Sequence, residues 1–314
     1  MKICILGASS HIARGLVFNF LQEGEDDLYL FDKGIYCFNN YTADLSSKKV
    51  RKIGLSDKFE SVNFDAIINC IGIGDPAKLK QAGGFIFDLT EKFDNKILKY
   101  LEKHKRTLYI NLSSGAVFGK SVSKPINNST LTTLDLNNIQ PEDYYSITKI
   151  NCEAKHRAHP DLRIIDLRVF SYFSRFISLE TGFFMTDVIN ALLEDRVLET
   201  QSGDMVRDFI HPSDFFALVK KCLAADDINA AFDVVSRKPV KKTEILIHFK
   251  DRFGLKYKFV DKEGYIEATG AKNSYFSKNL KAKEILDFIP EHSSLRALEM
   301  ETETILLGAK CKRD

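Results

Sequence analysis

Met1-Lys2-Ile3-Cys4-Ile5-Leu6-Gly7-Ala8-Ser9-Ser10-His11-Ile12-Ala13-Arg14-Gly15 opens the chain, and its reading decides the fold. A short apolar run ends at Gly7, after which Ile12, Leu16, Val17 and Phe20 recur at helical spacing. The pattern predicts a buried strand, a glycine-bearing turn and an amphipathic helix. The apolar stretch is too brief, and its charge too sparse, for a signal peptide. Free N–H groups where such a helix starts can seat a dinucleotide pyrophosphate. Gly7 holds the first glycine position of that turn, whereas Ser10 and Ala13 stand where the second and third would fall. Ala13 still permits close helix packing, and the Ser10 hydroxyl can donate to a phosphate.

Further along, Leu28-Tyr29-Leu30-Phe31-Asp32 predicts a second strand. It ends in an acid at about the separation from Gly7 expected of a carboxylate that accepts hydrogen bonds from a ribose diol. Asp32 would repel a 2′-phosphate, which favours NAD over NADP, while Lys33 offsets part of that repulsion and keeps NADP possible. The alternative is that Asp32 is a turn residue before Gly34. Phe64-Asp65-Ala66-Ile67-Ile68-Asn69-Cys70-Ile71-Gly72-Ile73-Gly74 reads as another buried strand with a glycine-rich turn, so that backbone at Gly72 can lie against a cofactor. A helix from about Asp88 to Lys105 leads into the strand Leu108-Tyr109-Ile110-Asn111-Leu112. This alternation predicts an α/β fold built on a doubly wound parallel sheet.

Two later segments carry chemistry: Asn111-Leu112-Ser113-Ser114-Gly115-Ala116-Val117-Phe118-Gly119 and Tyr145-Ser146-Ile147-Thr148-Lys149. On a helix, the i,i+4 spacing puts Tyr145 and Lys149 on one face, where the ammonium can stabilise a phenolate. Ser114, ending a strand, can hold the same substrate oxygen while hydride leaves or reaches the carbon. The set suits alcohol/ketone redox chemistry. The plainer alternative is a solvated helix edge and an ordinary loop, since Y-x-x-x-K alone is a common pattern.

Together these segments resemble the extended short-chain dehydrogenase/reductases that act on nucleotide sugars, a family of epimerases, dehydratases and 4-ketoreductases. The resemblance covers nearly the whole chain and implies a Rossmann-type sheet in residues 1–170, a returning strand near 228–239, and a smaller mixed α/β C-terminal substrate lobe in 171–314. It implies Ser114, Tyr145 and Lys149 as the catalytic set. For the cofactor it implies Gly7, Ser9, Ser10, His11, Ile12, Asp32, Lys33, Cys70, Gly72, Tyr145 and Lys149, with Asp44 and Leu45 from the segment Ala43-Asp44-Leu45. Phe118 replaces the tyrosine of the family's S-S-x-x-V-Y-G, and Ser171 replaces the asparagine of its L-R-x-F-N. Gly203-Asp204-Met205-Val206-Arg207-Asp208-Phe209-Ile210-His211-Pro212-Ser213-Asp214 is similar to G-D-G-x-x-R-D-F-I-H-V-x-D. That match implies that Arg207 meets a sugar-nucleotide diphosphate, with Ser114 and Ser171 also at the substrate and His211 supporting the Arg207 loop. An ion pair of Arg207 with Asp204 or Asp208 is the alternative.

The 4,6-dehydratases of the resembled family carry an Asp-Glu pair directly after the catalytic hydroxyl, and this chain has Gly115 and Ala116 there, which disfavours dehydration. That leaves NAD-dependent 4-epimerisation through a transient ketone, favoured by Asp32, ahead of NAD(P)H-dependent 4-ketoreduction. A dinucleotide-binding sensor module is a third reading, but a sensor has no need of a proton relay. The 314 residues, 44% hydrophobic and 28% charged, suffice for a cofactor domain and a second lobe. A net charge of +2 offers no footprint for nucleic acid. The six dispersed cysteines lack a C-x-x-C pair and read as reduced thiols of a cytoplasmic protein with no membrane partner, and the seven histidines lack zinc-site spacing, so no metal is expected. The polar stretch Ser121 to Asn138 reads as a loop able to cover the site. The resemblance further implies a homodimer through the helix carrying Tyr145 and the helix near 88–105; Ile150, Cys152 and Ala154 could face either that contact or the monomer core.

Overall fold

Ile3 and Ile5 of strand β1 (Lys2–Leu6) pack to one side of the sheet and Cys4 and Leu6 to the other, and all four are buried. The computed structural model describes all residues except 40, 42–44, 56–60, 120–123, 261–273 and 311–314. Five further strands follow in the first half: β2 (Asp27–Asp32), β3 (Val50–Gly54), β4 (Ala66–Asn69), β5 (Leu108–Ser114) and β6 (Ile164–Val169). The second half adds β7 (Ser171–Tyr172), β8 (Leu198–Thr200), β9 (Val206–Arg207), β10 (Phe209–Ile210), β11 (Asn229–Val234), β12 (Val240–Lys241), β13 (Tyr257–Phe259) and β14 (Ser274–Tyr275). Seven of them form one parallel sheet in the order β11-β6-β5-β4-β1-β2-β3.

Register decides where the site lies. Leu6 pairs with both Phe31 and Asn69, Asn69 with Asn111, and Ser114 with Val169. Gly7, Cys70, Ser114 and Ser171 therefore emerge together at the carboxyl edge of the sheet, beside β1, where the direction of strand progression reverses.

Helices α1 (His11–Glu23) and α6 (Pro212–Ala224) cover one face; Leu16, Val17 and Phe20 of the first meet Phe215, Phe216 and Leu218 of the second over Ile3 and Ile5. Between them in sequence lie α2 (Pro76–Ala82), α3 (Phe85–Lys103), α4 (Tyr144–Arg157) and α5 (Phe184–Leu193). On the opposite face Ile97, Leu98 and Leu101 of α3 pack on Cys4, Leu6 and Ile67. A separate core joins Val188 and Ile189 of α5 to Ile245 and Phe249 of α7 (Lys242–Phe253). Helices α8 (Lys281–Leu286) and α9 (Ser294–Lys310) complete the chain, and Leu298 of α9 enters that second core. Among the described residues no helix is long and apolar enough to cross a membrane.

One alternative left open by the sequence is resolved here. Cys152 is buried and Ile150 packs beside Val117 and Phe118, so both face the interior, whereas Ala154 is exposed.

Candidate active site

Strand β5 delivers Ser114 in extended backbone, φ −146° and ψ 152°, straight into a 3-10 turn, Gly115–Phe118. Ser114 Oγ accepts a hydrogen bond from the Ala116 N–H at 3.2 Å and lies 3.1 Å from the Tyr275 hydroxyl. Helix α4 begins at Tyr144, so Tyr145 stands in its first turn and Lys149 one turn on. The Lys149 ammonium is buried, lies 5.7 Å from the Tyr145 ring centre, and donates to the Leu112 carbonyl at 2.7 Å. That bond ties the Tyr145–Lys149 face to the strand carrying Ser114. The three residues expected to act together are thus brought together.

On the cofactor side, Gly7 has φ +71°, and a Cβ there would lie 3.1 Å from the Cys70 carbonyl, so glycine is required. The Gly7 and Ala8 N–H groups both donate to the Phe31 carbonyl, at 2.9 and 3.1 Å, which pins the turn to the end of β2. Asp32 is buried; Oδ2 accepts from the Ser9 N–H at 2.7 Å and Oδ1 from the Lys33 N–H at 2.8 Å. A carboxylate has about four lone-pair sites, so two remain for a ribose diol. Ser10 starts α1 without a side-chain cap bond, and among the described residues its buried Oγ has no partner. Ala13 is fully buried, Ile12 packs against the core, and Leu45 is buried in the same cluster. A Cβ on Gly72 would lie 3.8 Å from Lys149 Nζ, so this backbone faces the Lys149 ammonium. Burial pushes the Cys70 thiol up to about 12, with the Lys149 charge opposing it, so it remains a neutral wall. His11 Nε2 lies 2.8 Å from Ser174 Oγ, and burial pushes the imidazole down to about 4, leaving it neutral. This contact ties the Gly7 turn to the segment just after β7. Asp44 lies outside the described residues.

On the substrate side, Ser171 in β7 is half-buried and pairs with Phe209. Arg207 is buried, donates from Nη1 to the Val206 carbonyl at 3.0 Å, and stands opposite Tyr275 in the β9–β14 register. Asp204 instead accepts from Thr243, and Asp208 from the Ser236 N–H at 2.8 Å. Burial pushes the Asp208 carboxyl up to about 6. His211 Nδ1 caps α6, 3.2 Å from the Ser213 N–H, and its ring lies over His292. Asp214, Glu291 and His292 bring potential ligand atoms within 4.8 Å of one another. Both Asp214 oxygens already meet His292, through its N–H at 2.9 Å and Nδ1 at 3.1 Å, so the group reads as a lobe contact.

Tyr275 is the site residue that sequence reasoning missed. Nothing around Ser274-Tyr275-Phe276 marks it locally; the pairing of two-residue β14 with β9 and the bridge of its continuation to Ile126 bring it to Ser114.

A glycine turn at the strand-order reversal, beside a Ser-Tyr-Lys set on β5 and α4, defines an extended short-chain dehydrogenase/reductase. The sequence profile of the NAD dependent epimerase/dehydratase family matches residues 3–234, and the chain belongs to that family. Among solved structures it resembles a UDP-glucuronic acid 4-epimerase from Bacillus cereus in complex with UDP-glucuronic acid and NAD, at 18% identity and TM-score 0.80 over 98% of this chain and 99% of that one. It also resembles a UDP-glucose 4-epimerase from Bifidobacterium longum in complex with NAD+ and UDP, at 16% identity and TM-score 0.74 over 98% of each chain. A dTDP-glucose 4,6-dehydratase from Bacillus anthracis in complex with NAD is similar at 15% identity and TM-score 0.75 over 96% of each chain. No curated protein sequence matches it.

Proposed function

We propose that this protein is an NAD-dependent 4-epimerase of a nucleotide-diphosphate sugar, acting through a transient 4-keto sugar. The observation that carries this reading is Tyr145 and Lys149 anchored by the Lys149–Leu112 bond to the strand that ends in Ser114. The residues present fit NAD: the Gly7 turn that a Cβ would fill, the unpartnered Ser10 Oγ, and Asp32 with lone pairs to spare. NAD, when bound, accepts a hydride and returns it. Tyr145 enters the cycle as a phenolate beside the Lys149 ammonium, takes the proton of the C4 hydroxyl to become a neutral phenol, and gives that proton back as the ketone is reduced. Ser114 holds the C4 oxygen, and Arg207 binds the diphosphate as a charged fork. Ser171 lies at the substrate, while the backbone at Gly72 and the Cys70 wall close the cofactor side beside Lys149.

Dehydration would need an acid after Ser114. Not only is residue 115 glycine, but a Cβ there would fall 2.5 Å from the Phe170 ring, so a carboxylate has no room without moving that ring. The same site would serve a 4-ketoreductase if the cofactor exchanged freely, with Tyr145 then the proton donor. The protein pairs as a homodimer through α3 and α4, already stitched to each other by Asn151–Glu91 and Lys155–Asn95 bonds of 2.9 and 2.7 Å.

The test is to denature the purified protein without added cofactor and identify the released nucleotide by mass spectrometry. Stoichiometric NAD supports the self-contained cycle of an epimerase. An empty site, or one filled readily by NADPH, supports the ketoreductase instead.

A further inference from the structure

The Ser114 hydroxyl has two lone pairs and one proton to place. The Ala116 N–H takes one lone pair, and the Tyr275 hydroxyl stands 3.1 Å away. Either hydroxyl could donate in this pair, and the greater acidity of a phenol favours the tyrosine as the donor. We propose that Tyr275 is a positioning residue for Ser114: by donating to Oγ it fills the second lone pair and turns the serine proton outward, so that Ser114 meets the substrate oxygen only as a donor. A donor aimed in advance stabilises the charge that gathers on that oxygen as hydride arrives, whereas a free hydroxyl would spend part of its time turned elsewhere. The inference rests on the hydride-transfer reading above.

The surroundings build this contact from both ends. Tyr275 is buried against Phe170, ring centres 5.1 Å apart, and its hydroxyl lies within electrostatic reach of Tyr145 and Arg207. Burial pushes its phenol well above the ordinary range, so it keeps its proton and leaves proton exchange to Tyr145. Its segment is held by Ile126, whose N–H donates to the Phe276 carbonyl at 3.0 Å and whose carbonyl accepts from the Lys278 N–H at 2.8 Å. Ser277 Oγ donates to Asp233 Oδ2 at 2.6 Å, and Asp233 Oδ1 meets Arg168 Nη1 at 3.4 Å. Arg168 forks onto Glu153, which accepts from Ser113 Oγ at 2.6 Å. A continuous polar chain thus runs from the residue before Ser114 to the second residue after Tyr275.

Four proteins test this: wild type, Tyr275→Phe, Ser114→Ala and the double variant, assayed for C4 epimerisation across a panel of UDP-sugars. Tyr275→Phe is expected to lower kcat by about tenfold with KM within about twofold, and to change kcat by less than about twofold once Ser114 is alanine. An equal loss from Tyr275→Phe in both backgrounds, or no loss in either, would overturn the inference. Urea denaturation of the same four proteins needs no substrate and is expected to show non-additive effects of the two substitutions; additive effects would also overturn it. Should the wild type convert no nucleotide sugar, the epimerase reading fails, and the denaturation cycle then decides the Ser114–Tyr275 bond by itself.

Discussion

Replacing His156 with glutamine should remove a pH-dependent share of stability that can be worked out from its surroundings. His156 lies fully buried between α4 and the sheet, with Nδ1 2.8 Å from Asp166 Oδ1 and Nε2 2.8 Å from Asp94 Oδ1. Burial alone would depress the imidazole, but the two carboxylates prevail and push it up to about 9, against an ordinary value of 6.5. Asp94 is raised by burial, yet the bonds from His156 and Lys155 hold it below the usual carboxylate range. Because the folded value exceeds the unfolded one, the contribution is complete below about pH 6.5 and is lost as pH rises through about 9. At about 1.4 kcal/mol per unit, the shift corresponds to about 3 kcal/mol. Urea denaturation between pH 6 and 10 should therefore show the gap between wild type and His156→Gln shrinking by about 3 kcal/mol. Other groups titrating in that range occur in both proteins and cancel. A gap constant to within about 1 kcal/mol would refute the reasoning. If His156→Gln does not fold, Asp94→Asn, which removes one of the two carboxylates, should lessen the alkaline fall relative to wild type.

Other expectations follow from the same geometry. Lys149→Met keeps the length of the side chain but loses its charge and its bond to Leu112, and should lower kcat by about 100-fold or more while near-ultraviolet circular dichroism stays native. Gly115→Ala would push a Cβ into the Phe170 ring that backs Tyr275; about 1–3 kcal/mol of stability should be lost, read as a lower Tm, together with most activity. Glu301, raised by burial but held down to about 2 by His211 Nε2 3.6 Å away and by hydrogen bonds from the Arg175 N–H and guanidinium, contributes above pH 4.5 and loses that contribution as pH falls through about 2. Glu301→Gln should accordingly flatten the acid limb of the stability profile by roughly 3 kcal/mol, followed by denaturation from pH 5 downward.

Much of this was legible in the chain because it is local. The run Ile3 to Leu6, the turn at Gly7 and the helical recurrence from Ile12 to Phe20 each follow from short-range pattern, and the parallel sheet follows from their repetition. Tyr145 and Lys149 announce themselves by one helical turn. What escaped is what depends on tertiary pairing. Tyr275 reaches Ser114 because β14 aligns with β9 and its continuation bridges to Ile126, and the Asp94–His156–Asp166 bridge joins α3, α4 and β6, which no local window spans. His211 was legible as part of a motif, while its capping of α6 depends on the backbone turn that starts the helix and shows only in the structure.

The most direct measurement of the central claim uses UDP-glucose, or another UDP-hexose that the protein converts, carrying deuterium at C4, incubated with the purified protein and no added cofactor. The account predicts that the C4 epimer forms and keeps its deuterium, since hydride leaves and returns within one site, and that Tyr145→Phe makes little of it. No epimer without added NADH or NADPH, or an epimer whose C4 deuterium has exchanged for solvent hydrogen, would contradict it.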